Sequence, residues 1–202
     1  MSYIYIKFRY LIIMEKSVPA KNTNGQYDQA VDHCKSIFLK KTRDYGTSWR
    51  VLRTISIADQ LYIKARRIRT LQKTSETRVG EDKQGEFVAM VNYGVIGLIQ
   101  LSLGADTPEE IPADKAERLY DGQMARARHT MMDKNHDYGE AWRDMSQEGF
   151  VDLILMKILR IRQIVANDGT TLISEGIDSN YIDIINYSLF ALILIGEGQH
   201  SA

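Results

Sequence analysis

One ten-residue pattern occurs twice and limits what this chain can fold into. Lys41-Thr42-Arg43-Asp44-Tyr45-Gly46-Thr47-Ser48-Trp49-Arg50 returns 93 positions later as Lys134-Asn135-His136-Asp137-Tyr138-Gly139-Glu140-Ala141-Trp142-Arg143, and both read K-x-x-D-Y-G-x-x-W-R. The likeness runs well beyond the motif: from Tyr27 to Gln72, 13 of 46 positions are identical in the shifted copy. The chain is an internal duplication, so one structural unit has to serve twice.

The unit reads as three helices. Ala30, Val31, Cys34, Ile37 and Phe38 fall at helical spacing, with Met124, Ala127, Met131 and Met132 at comparable places in the second copy. Each first helix is predicted to stop at the Asp-Tyr-Gly turn, where glycine allows a backbone that side chains disfavour. The second helices span Ile57 to Gln72 and Phe150 to Val165, and both carry Asp, Lys, Arg, Ile and Arg at the same offsets: Asp59, Lys64, Arg67, Ile68 and Arg69 against Asp152, Lys157, Arg160, Ile161 and Arg162. Polar connectors follow, Thr74 to Gln84 and Ala166 to Asp178, with Glu81 and Glu175 at corresponding places. The third helices begin near Phe87 and Tyr181 and share Asn92-Tyr93 and Asn186-Tyr187.

The expected architecture is therefore all-α, a helical bundle of two homologous three-helix units related by pseudo-twofold symmetry. Repeat 1 covers residues 27–103 and repeat 2 residues 120–196, joined by a linker from Leu103 to Pro112, within one domain spanning 27–202. Gly94 and Gly97 suit close helix packing better than phosphate binding. Residues 1–26 read as an N-terminal extension. The apolar run 1–13, broken by Lys7 and Arg9, is too short to cross a bilayer, which takes roughly 20 residues, and it lacks a signal-peptide cleavage site. A mis-assigned start upstream of Met14 or a floppy tail is the plainer reading, a docked strand or helix the alternative, and 17–26 reads as a loop.

Composition narrows the function classes. Lys plus Arg and Asp plus Glu each total 26, so no whole-surface charge draws the chain to nucleic acid or to a membrane. The single Cys34 fits a reducing cytoplasm and, by its spacing, a core position. No Walker loop, dinucleotide fingerprint, zinc spacing or nucleophile elbow is present.

What repeats is charge of mixed sign: Lys134, Asp137, Arg143, Asp152, Lys157 and Arg160 in repeat 2, with Tyr138, Trp142 and Tyr187 as flat surfaces. Lysine and arginine suit phosphate oxygens, and an aromatic ring suits a base by stacking. Asn186 shares a polar stripe with Asp183 and Tyr187, while Lys64 and Arg67 in repeat 1 are candidate bracing cations. Glu175, Asp178 and Asp183 could hold a magnesium ion and act catalytically. Against these stand blander readings. The aromatic residues could be core anchors. The charges on the apolar helix around Asp152 could form an ion-pair network between the copies.

The K-x-x-D-Y-G-x-x-W-R segment, the lysine-arginine helix and the acidic connector leading to Asp183-x-x-Asn186-Tyr187 resemble the nucleotide modification associated domain 1 family, also catalogued as DUF1599. The resemblance covers both copies, from about Tyr27 to Ile195, and the family name implies an association with nucleotide modification. The helical layout is also similar to MazG-like all-α nucleoside triphosphate pyrophosphatases, which gather magnesium on two acidic pairs. That similarity implies a magnesium-dependent hydrolase releasing pyrophosphate from a nucleoside triphosphate, although Lys157 and Arg160 follow Asp152 where the first pair would stand. A non-catalytic protein binding nucleotides or other phosphorylated metabolites, and a structural interaction module, are the alternatives. A homodimer is left open.

Overall fold

The computed structural model describes residues 22–74, 82–103, 107–173 and 175–202. Among them are six α-helices: α1 (Thr23–Tyr45), α2 (Thr54–Thr74), α3 (Lys83–Ser102), α4 (Ala113–Tyr138), α5 (Gln147–Ala166) and α6 (Ile177–Gly196). The fold is all-α, two three-helix units in one bundle, as the duplication requires. The readings for residues 1–13 and for Glu81 lie outside the described residues.

Several helices begin ahead of expectation, α3 and α6 at Lys83 and Ile177, four residues before Phe87 and Tyr181. α1 begins at Thr23 instead of near Tyr27, because the Asn22 side chain accepts from the Gly25 amide and caps it. α4 begins at Ala113, directly after the expected linker and seven residues ahead of Tyr120, where the repeat was expected to open. The Asp-Tyr-Gly turn forms as read. α1 and α4 end at Tyr45 and Tyr138, and Gly46 and Gly139 take φ of 63° and 62°. A short 3-10 turn follows each, burying Trp49 and Trp142. Asp137 does not cap the helix; it lies exposed beside His136 Nδ1 at 3.1 Å.

α3 and α6 form the centre. Both have the length and hydropathy of a membrane span, yet 61% and 78% of those windows are buried inside the bundle. Helices that are apolar nearly all round suit this central place. They meet closely because Gly94 and Gly97 face α6: a Cβ on Gly97 would stand 2.5 Å from the Tyr181 ring, and one on Gly94 2.7 Å from Ile185.

The repeats are laced together by symmetric polar bonds. Tyr27 of repeat 1 donates to Asn186 Oδ1 of repeat 2 at 2.8 Å, and Tyr120 of repeat 2 donates to Asn92 Oδ1 of repeat 1 at 2.9 Å. Each asparagine also donates to a first-helix carbonyl, Asn186 to Ala127 and Asn92 to Cys34, at 3.1 Å in both cases. The cross-repeat ion pairs are paired likewise: Arg162 with Asp59 at 2.6 Å, Arg69 with Asp152 at 3.6 Å. Asp152 is thus a partner across α2 and α5 and not a buried charge, since its side chain is 63% exposed. Exposed pairs of this kind contribute at most about 1 kcal/mol.

Candidate functional site

The charged centre of repeat 2 is assembled from three helices. Asp183, buried on α6, receives Lys134 Nζ of α4 on Oδ1 and Lys157 Nζ of α5 on Oδ2, each at 2.5 Å. Lys157 is itself buried, whereas the Lys134 side chain is half exposed. A lysine on an apolar helix is tolerated here because the carboxylate neutralises it. Burial pulls the Lys134 ammonium down, but the hydrogen bond and charge of Asp183, with smaller help from Tyr187 and Glu175, outweigh it and leave the group raised. Tyr187, one turn beyond Asp183, is raised by burial and by that carboxylate, against the pull of Lys134 and Arg160.

Beside this centre lies an open basin of about 830 Å³, bordered by Arg160, Gln163, Asn167, Thr170, Glu175 and Asn180. Arg160 is exposed and makes no hydrogen bond or ion pair among the described residues. Lys134, Lys157, Arg160, Glu175, Asp183 and Tyr187 lie in one region.

Other candidates are placed elsewhere. Asp178 is not with Asp183; it sits near the surface and pairs with Arg126 of α4 at 3.2 Å. Five residues separate the two acids, about 140° apart on a helix, so they cannot share a face. Asp183 has both oxygens occupied by lysines. Among the described residues no three acidic, histidine or cysteine side chains come together as a metal site. The expected magnesium set of Glu175, Asp178 and Asp183 does not fit the ion.

Trp142 is no base platform, because it is buried and stacks on Phe190 with centroids 4.2 Å apart and planes within 5°. Arg143 is enclosed by the fold. It donates to Glu197 at 2.9 Å, Thr23 at 2.6 Å, Gln26 at 2.8 Å and to Glu140, and lies over the Trp142 ring. Asn186 is spent on the bonds to Tyr27 and Ala127. Tyr138 is 76% exposed, away from any partner ring. In repeat 1, Lys64 and Arg67 both bind Glu86, Lys64 at 3.3 Å.

Glu86 is a residue the sequence reading missed. It is buried on α3 one turn before Ala89, the position matching Asp183. Repeat 1 keeps a buried acid under its cations but supplies it from a shifted position. The signal was available as an acid within one turn of the expected site, on the same helix.

Alkaline instability should follow from the buried hydroxyls and thiol. Burial raises Tyr27, Tyr120 and Tyr181, and pushes Cys34 from 9.0 up to about 12. All these folded-state values, and that of Lys134, lie above the unfolded ones. Their contribution is complete below about pH 9 and is lost as pH rises through and beyond the unfolded values. Denaturant midpoints should hold steady from pH 7 to about 9 and fall steeply above about 10, with the buried tyrosines ionising only as helix signal is lost. An unchanged midpoint at about pH 11 would contradict this.

A bundle of two like three-helix units, the second with a lysine-bridged acid on its last helix, is a tandem two-repeat helical protein. The family model for nucleotide modification associated domain 1 (DUF1599) matches it twice, over residues 41–101 and 134–195. The chain belongs to that family, with one family domain in each repeat. Neither a curated protein nor a solved structure matches the chain.

Proposed function

We propose that the protein binds a phosphorylated, nucleotide-like small molecule in the basin of repeat 2, without a metal ion at Asp183 and without hydrolysing the ligand. The observation that carries this is the Arg160 guanidinium, unpaired among the described residues, at the border of the basin and beside two lysines that share one carboxylate. A planar cationic fork with free N–H groups suits phosphate oxygens. Asn167, Thr170 and Asn180 add neutral hydrogen-bonding groups around it, and the family name supports a nucleotide as the first class to test.

Magnesium-dependent release of pyrophosphate would instead need clustered carboxylates free to take the ion, and Asp183 is held between two ammonium groups. The test is thermal stabilisation by nucleoside mono-, di- and triphosphates, with and without EDTA. Stabilisation that ignores EDTA, and that weakens about fivefold or more in Kd in Arg160→Ala, is the expected result. Failure of every phosphorylated ligand to stabilise the protein would refute binding. Magnesium-dependent pyrophosphate release by the pure protein would refute the non-hydrolytic reading.

A further inference from the structure

Repeat 1 carries a cavity beside Trp49, whose counterpart Trp142 in repeat 2 has the Phe190 ring flat against it. The cavity measures about 290 Å³ and is bordered by Phe38, Lys41, Tyr45, Trp49, Ala89 and Ile96, among others. Two of these differ from their counterparts in a way that removes volume. Ala89 stands where repeat 2 has Asp183, and Ile96 where repeat 2 has Phe190.

The consequences can be followed group by group. In repeat 2 the Phe190 ring lies flat on Trp142, while in repeat 1 no ring among the described residues lies parallel to Trp49; its neighbour Phe38 is tilted by 43° at 6.4 Å. In repeat 2 the Asp183 carboxylate holds Lys134 at 2.5 Å, while the matching Lys41 is exposed and makes no ion pair or hydrogen bond among the described residues. Repeat 1 therefore lacks the flat ring and, at position 89, the carboxylate, but has the tryptophan and lysine that would receive them.

We infer that the repeat 1 cavity is a second binding site, for a small molecule made of a flat aromatic ring bearing an anionic group. The ring lies toward Trp49, in the space Phe190 takes in the other repeat, and the anion sits at Lys41 in place of the missing carboxylate. Stacking on Trp49 and one ion pair to Lys41 supply the recognition, at a site mostly apolar with one convergent charge. A nucleoside monophosphate and an aromatic carboxylate share this chemistry. The site is independent of the basin beside Arg160.

The test is calorimetric titration of the full chain with adenosine monophosphate and, separately, 2-naphthoate. At least one should bind. Its Kd should rise about tenfold or more in Lys41→Ala, which alters an exposed side chain and leaves the core untouched. Ile96→Phe, which restores the repeat 2 ring, should abolish binding while circular dichroism reports an intact fold. Arg160→Ala should leave this binding unchanged. Preference for the monophosphate marks a nucleotide site, and preference for naphthoate an aromatic-acid site. Saturation by neither probe at millimolar concentration would overturn the inference, as would binding undiminished by Lys41→Ala and by a folded Ile96→Phe. Binding lost only in Arg160→Ala would place the ligand in the repeat 2 basin and overturn it equally.

Discussion

Asp183→Ala should destabilise the protein by about 3–5 kcal/mol, the usual consequence of stranding a buried charge whose partner is removed. Lys157 is the stranded group: it is buried on α5 and its ammonium has Asp183 as its ion-pair partner. Lys134 suffers less, since about half of its side chain reaches solvent. The double replacement Lys157→Met with Asp183→Leu should recover most of the loss, because a well-packed apolar pair can match a buried ion pair in stability. Urea unfolding of the single and double variants checks both statements. A loss under about 1 kcal/mol for Asp183→Ala would mean that water reaches Lys157. Loss of ligand binding in Asp183 variants has to be weighed against this fall in stability.

Trp142→Ala should cost about 3–5 kcal/mol, in the range for emptying a buried aromatic site. The residue is in flat contact with Phe190 and supports the Arg143 guanidinium, which ties the start of α1 and Glu197 to the second turn. Trp49→Ala should cost less. Its indole borders the repeat 1 cavity and lacks a stacked ring, so fewer contacts are lost. Guanidinium denaturation of the two variants gives the comparison directly. Equal losses would mean that the two tryptophans are packed alike, and that the cavity beside Trp49 is smaller in solution.

The architecture was legible because a duplication states its own period: K-x-x-D-Y-G-x-x-W-R located both turns, and the glycines in them adopt the positive φ the motif needed. Site chemistry was less legible, for a physical reason. Lys134, Lys157 and Asp183 come from three different helices, and sequence spacing says nothing about which opposite charges meet across a bundle. Periodicity could mark Asp183 as sharing a stripe with Asn186, but one pairs with lysines and the other with a tyrosine of the opposite repeat. Asp178 shows the same limit, since a carboxylate five residues away along a helix points elsewhere and finds Arg126. Asp152, flanked by apolar residues in sequence, does join an ion pair between the copies, but at the exposed edge of the α2–α5 contact.

The crossed tyrosine–asparagine bonds bear on ancestry. A polypeptide with one repeat would leave its asparagine and tyrosine without each other's counterparts, and could regain them only by pairing with an identical molecule about the same axis. In such a symmetric pair every substitution appears in both sites at once, so a residue that fills one pocket fills the other. Joining the two copies in one gene lifts that restriction. Alanine and isoleucine can then stand on one side while aspartate and phenylalanine stand on the other, and a single molecule can hold one ion-paired centre and one apolar cavity.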